Sequence, residues 1–187
     1  MDDVTPEMKV NWAISAAIKA GDADSAQRLL QEHPSIRDRI NTLGSWLFAV
    51  AKTPHLNVAE MMIGLRMDVN LSVGVEQQTP LHCAIDFDQF EMTQFLLSRG
   101  ANPNISRPII SAINCDPEER ALTFLKLLVE HGADVNRTFV LFGKKDKLFT
   151  ALDWASGKPT ILKYLQDHDA KSSWELVGEK SAFPPKK

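Results

Sequence analysis

A short segment returns along this chain at a nearly constant interval, and that recurrence limits the possible folds more than any other feature. Arg99-Gly-Ala-Asn-Pro-Asn104 reappears 32 residues later as His131-Gly-Ala-Asp-Val-Asn136. A degraded copy, Arg66-Met-Asp-Val-Asn70, lies 34 residues earlier, and His168-Asp-Ala-Lys171 reads as a truncated fourth. Ahead of each copy stands an apolar stretch: 59–63, 93–97, 125–129 and 161–165. Ahead of that again comes a small-residue pair: Ala17-Ile18, Ala49-Val50, Ala84-Ile85, Ala112-Ile113 and Ala155-Ser156, spaced by 32, 35, 28 and 43 residues. The period is near 33, with insertions and deletions. A chain built on such a period stacks one supersecondary unit upon the next rather than closing around a single unrepeated core.

Each unit reads as two short helices followed by a turn. Leu, Phe and Ile at i, i+3 and i+4 give the second helix one apolar face, and Ala at the small position lets neighbouring helices approach closely. Gly100 and Gly132 follow second helices, where a left-handed residue closes the last carbonyls without a Cβ penalty. Pro80 suits a first helical turn, where its missing N–H would have no partner.

With Thr79-Pro-Leu-His-Cys-Ala84 at the start of the third unit and the Gly-Ala-Asp-Val-Asn turn at its neighbour's end, the chain resembles the ankyrin-repeat family. The likeness covers about residues 9–171 and is weaker at the start of the fourth unit (Arg107-Pro-Ile-Ile-Ser-Ala112). The fifth has Thr150-Ala-Leu-Asp-Trp-Ala155, with Ala and Asp where Pro and His belong. The first two match by helix pattern only. The resemblance implies an all-α solenoid of about five helix-turn-helix units, over 9–41, 42–78, 79–106, 107–149 and 150–171. The stretch 172–187 is expected to be a loosely attached C-terminal tail. Between the fourth and fifth units, 137–149 exceeds an ordinary turn and reads as a hairpin, with two short apolar strands around a Gly143-Lys144-Lys145-Asp146 tip. Residues 71–78 form a lesser finger.

Composition closes off several functions. Of 187 residues, 44% are hydrophobic and 24% charged, which excludes a disordered chain or a disulfide miniprotein. Lys and Arg number 21 against 24 Asp and Glu, a net charge of -3 with no basic stripe, so no nucleic acid is expected as a partner. No run approaches the roughly 18 apolar residues of a membrane span, so no membrane partner is expected. The acidic start MDDVTPEMKVNW lacks the pattern of a secretory signal, and the thiols Cys83 and Cys115 fit a reducing compartment, so a cytoplasmic location is expected.

Catalytic constellations are missing. His82 and Cys83 point about 100° apart on a helix and make no nucleophile–base pair. The resemblance implies that His82 instead hydrogen-bonds within the turn framework. No HxxxH or HExxH spacing offers a metal site, Gly143-Lys-Lys lacks P-loop spacing, and Asp86 with Asp88 reads as a solvated acidic rim. No enzyme activity, metal or cofactor is expected.

A recognition surface remains. In the ankyrin architecture the first helices and fingers line the binding face. Three positions per first helix are carried over by alignment on the small Ala: Ala16, Lys19 and Ala20; Phe48, Ala51 and Lys52; Cys83, Asp86 and Phe87; Ser111, Asn114 and Cys115; and Trp154. The expected partner contacts are Phe48, Lys52, Asp86, Phe87, Asn114, Phe139, Phe142, Lys144, Lys145 and Trp154. They combine aromatic anchors, charge and the finger, as interface hot spots do. For Phe87 and Trp154, packing inward between repeats stays open. The expected function is a non-catalytic module that masks or inhibits one partner protein, in the sharper form an immunity protein blocking a bacterial toxin. The alternatives are an adaptor or secreted effector, and lastly a Cys-dependent enzyme. The chain itself is expected to be a monomer or weak homodimer.

Overall fold

The structure, a computed structural model, describes residues 5–39, 44–141 and 143–183. Its contacts divide the chain into two units, 1–106 and 107–187. Among the described residues there are five helix pairs and one two-stranded sheet.

The first unit holds α1 (Pro6–Ala20), α2 (Ala23–Glu32), the short α3 (Pro34–Arg37), α4 (Trp46–Ala51), α5 (Leu56–Gly64), α6 (Pro80–Asp86) and α7 (Phe90–Ser98). Local signals set the ends of these helices. Thr5 and Thr79 cap α1 and α6 by accepting from the N–H three residues on, with Pro6 and Pro80 in the first turns. Gly21 ends α1 in the left-handed region at φ 72°. The first helices α1, α4 and α6 pack in one row and the second helices α2, α5 and α7 in another. Between the rows lie Ile14, Ile18, Leu30, Leu47, Met62, Leu81, Ile85, Met92 and Leu96, all essentially without solvent contact.

The recurring Asn explains the recurring turn. Asn70 Nδ2 donates to Gly100 O (3.0 Å), and its Oδ1 accepts from Asn102 N (2.7 Å). One amide thereby satisfies a donor and an acceptor of the next turn, which the helices leave unpaired.

The second unit holds α8 (Pro108–Asn114), α9 (Glu118–Glu130), β1 (Phe139–Leu141), β2 (Lys144–Phe149), α10 (Ala151–Trp154), α11 (Pro159–Asp167), α12 (Ser173–Val177) and a 3-10 turn over Gly178–Lys180. Asn136 repeats the clamp, donating to Asp169 O (3.1 Å) and accepting from Lys171 N (2.7 Å). Two charged side chains finish the helices. Lys158 Nζ donates to Ile113 O (2.6 Å) and Cys115 O (2.9 Å) at the end of α8. Glu118 Oε1 accepts from Thr160 N (2.7 Å) and Ile161 N (3.1 Å) at the start of α11.

The long insertion is an antiparallel hairpin, with Phe139 opposite Phe149, Val140 opposite Leu148 and, after an irregularity, Leu141 opposite Lys144. Gly143, at φ 76°, stands in the turn, and Lys144 and Lys145 belong to β2 rather than to the tip. The irregularity after Val140 leaves three β2 residues unopposed, which shifts the turn toward the N-terminal side.

Residues 172–183 are attached, where a loose tail was expected over 172–187. Ser173 is 0% exposed, and its Oγ lies 2.6 Å from that of the buried Ser181. Ala182 N donates to Leu148 O (2.7 Å), and Thr150 Oγ1 donates to Lys171 O (2.9 Å). Asp153 is the physical reason for the attachment. It stands where the family has His, forms a capping box with Thr150, and also accepts from Ser173 N (2.9 Å).

Candidate partner-binding surface

In the first unit, α4 presents a different face from the one expected. Ser45 and Thr79 both precede helices in extended backbone, at φ -94° and -122°, and counting from these caps sets Phe48 at the place of His82. Phe48 is 2% exposed, and a Cβ on Gly44 would come within 2.4 Å of its ring. It is a core residue and makes no outward contact. The Val50-Ala51 pair, wholly buried, fills the small position that Ala49-Val50 was expected to occupy. The face of α4 is thus shifted by one residue, with Ala49 half-buried and Lys52 exposed.

Lys52, Asp86 and Phe87 do come together. Phe87 ends α6 with 53% of its surface exposed, and Lys52 Nζ lies 5.0 Å from its ring centroid. The pair combines apolar area with a cation held over the ring. Asp86 Oδ2 is 3.3 Å from His82 Nε2, while His82 Nδ1 lies 2.5 Å from Ser106 Oγ. Ser106 Oγ in turn donates to Glu76 O (3.1 Å), so the buried imidazole ties α6 to the finger as the turn framework requires. Cys83 is buried beside it. Burial pushes its thiol up, Lys52 opposes and Asp86 adds to the rise, so the protonated form is favoured.

In the second unit, Asn114 and Trp154 meet directly. Trp154 Nε1 donates to Asn114 Oδ1 (2.8 Å), and its ring lies 5.0 Å from Phe149, which leaves 37% of the residue exposed. Trp154 is therefore part packing element and part surface. Phe139 is not at the surface. It is 5% exposed and faces Phe149 at 5.6 Å, because strand alternation turns both rings inward and Val140 outward. Lys144 is exposed, whereas Phe142 and the side chain of Lys145 lie outside the described residues.

Sequence reasoning missed Val75, wholly exposed in the 71–78 finger, and Trp12 and Met8, exposed along α1. The spacing of four between Met8 and Trp12 was the available signal. It also missed Trp174, exposed on α12. Among the described residues, no group of three His, Cys, Asp or Glu gathers as a metal-holding set, and no helix is long and apolar enough to cross a membrane.

The family model for ankyrin repeats, three copies, matches residues 14–107, half of the chain. The chain belongs to the ankyrin-repeat family. A curated relative of these repeats is the human transient receptor potential cation channel subfamily A member 1, 37% identical over 83 residues. That match covers 41% of this chain and 7% of the channel protein's length. Ankyrin repeats are protein–protein interaction modules, and the Lys52–Phe87 pair stands on the first-helix row of the matched segment.

Proposed function

We propose that this ankyrin-repeat chain is a non-catalytic, cytoplasmic binder that engages one partner protein and masks or inhibits it. Neutralisation of a bacterial toxin is the specific form to test. The observation that carries the reading is Phe87, a large aromatic side chain left half open at the end of α6 with the Lys52 ammonium over its ring. A rigid aromatic with a neighbouring charge supplies contact area at low conformational cost, as hot-spot residues do. The absence of catalysis is supported by Cys83, buried with its thiol pushed up, and by Cys115, whose Sγ donates to Ser111 O (3.4 Å).

The test is capture from the source cell with the tagged full chain, read by mass spectrometry, alongside Phe87→Ala and Lys52→Glu. The expected outcome is one stoichiometric partner whose capture falls about tenfold or more with Phe87→Ala, as for an anchoring aromatic. A toxin domain on that partner would establish the immunity form. A partner retained equally by both variants would overturn the Phe87 surface. Many substoichiometric partners would replace the dedicated binder with an adaptor.

A further inference from the structure

The hairpin and the C-terminal segment form an open pocket of about 390 Å³, lined by Leu141, Lys144, Lys147, Trp174, Ser181 and Ala182. That volume falls within the range of roughly 300–1,000 Å³ common to ligand pockets. Its walls are tied to each other rather than loosely apposed. Leu148 and Ser181 form a parallel bridge, Ala182 N donates to Leu148 O, and the hydroxyls of Ser173 and Ser181 meet at 2.6 Å. Lys147 Nζ donates to the backbone oxygen of Glu179, which also lines the cavity, at 2.8 Å. A pocket assembled before binding loses little entropy when it is filled.

Two kinds of surface meet there. Leu141, Ala182 and the Trp174 ring are apolar, and Trp174 remains exposed although it is the largest side chain of α12. Lys144 and Lys147, both on β2, give the lining two cationic side chains to the one acidic side chain of Glu179. The same elements also expose Val140, Leu176 and Phe183, apolar side chains outside the pocket lining itself. A chain segment carrying both an apolar side chain and negative charge answers all three features. Nucleic acid does not, since two lysines neutralise few phosphates.

We propose that this hairpin–cap pocket binds a short acidic segment of a partner protein. An aliphatic or aromatic side chain enters against Trp174 and Leu141, and a neighbouring carboxylate meets Lys144 and Lys147. The site rests on the protein-binding reading but is separate from the Phe87 surface, and it uses the insertion and terminal segment rather than the repeats themselves.

Random dodecapeptides displayed on phage are panned on the full chain, and the enriched sequences are synthesised with a fluorophore for polarisation titration. The expected peptides set Asp or Glu within two positions of Leu, Ile, Phe or Trp. Trp174→Ala and Lys144→Glu each weaken their binding about tenfold, as loss of a central anchor does, and Phe87→Ala leaves it unchanged. Raising salt weakens binding to the wild type. Lys144 is exposed, so its reversal tests the site even where Trp174→Ala disturbs α12; circular dichroism checks the folding of each variant. Peptides without the acidic–apolar pairing, equal binding by Lys144→Glu, or no enrichment over the Trp174→Ala chain would overturn the site. Those results would leave the Phe87 experiment standing, because its readout uses a different variant.

Discussion

Asn70 and Asn136 each satisfy two backbone groups of the following turn, and this is the residue-level cause of the periodic pattern. A turn between helices leaves carbonyls and N–H groups unpaired, and a carboxamide can serve one of each at once. Asn136→Ala should therefore lower stability by about 1–2 kcal/mol in urea denaturation, the cost of orphaning such groups where water partly replaces the bond. Asn136→Asp keeps the acceptor and loses the donor, so it should fall between alanine and wild type. Titration at the helix caps has a definite sign. Asp22 accepts from Ser25 N (3.0 Å), and this hydrogen bond holds its carboxyl below the usual range. Glu175, bonded to the Ser172 hydroxyl and N–H, is lowered in the same way. A carboxyl with a depressed native value adds stability that is full above the unfolded range and lost as pH falls through the native one. Asp22→Asn still caps α2 but cannot titrate. It should flatten the fall of the urea midpoint between about pH 5 and pH 2, and an unchanged slope would show that the cap contributes nothing to the acid limb.

At the scale of elements, the helix pairs were readable in the sequence because period, small residues and caps agree. Thr79, Pro80 and the buried Ala84 give one answer for α6 from three directions. In α4 those signals conflict. Ala49 looked like the small residue, yet Ser45, at the N-cap position by its extended backbone and without a side-chain capping bond, places Val50 there, and the one-residue shift carries Phe48 from the surface into the core. Small residues are ambiguous where Val and Ala adjoin, whereas a cap fixes the count. The hairpin was legible from its alternation, but its tip was not. The unopposed residues of β2 set Lys144 opposite Leu141 and leave no mark in composition. Nor could composition show that residues 172–183 dock, because the ties use Ser hydroxyls and backbone groups rather than an apolar stripe. The corrected α4 count makes a prediction of its own. Gly44 has φ 96°, and a Cβ there would stand 2.4 Å from the Phe48 ring. Gly44→Ala should cost roughly 2–5 kcal/mol, from overpacking and a left-handed backbone together. Removing the ring with Phe48→Ala should recover the overpacking share, so the double variant should fall well short of additive in denaturant melts. Additive losses would mean that the glycine is required for its backbone alone.

For the molecule as a whole, repeat architecture makes stability local, since each unit gains from its own packing and from its nearest neighbours only. The chain divides accordingly into 1–106 and 107–187, and in the second unit one side chain, Asp153, joins α12 to the start of α10. Asp153 accepts from Thr150 N and Ser173 N, so it closes the capping box of α10 and anchors α12 with the same oxygen. Asp153→Ala breaks the capping box of α10 and orphans Ser173 N, a loss of about 1–3 kcal/mol. If stability is local, native-state hydrogen exchange should show that loss in α10, α11 and α12, while α1 and α2 keep their wild-type protection. Asp153→Asn retains an acceptor oxygen and should restore part of the protection at Ser173. An equal fall in protection from α1 to α12 would mean that the chain opens as one cooperative body. The terminal segment would then be a determinant of the entire fold rather than a cap on its last repeat. The distinction bears on binding, because a locally opening cap parts Trp174 from the β2 lysines and so takes the pocket apart. Under local opening, Asp153→Ala should weaken acidic peptides at the hairpin–cap pocket and leave capture through the Phe87 surface intact.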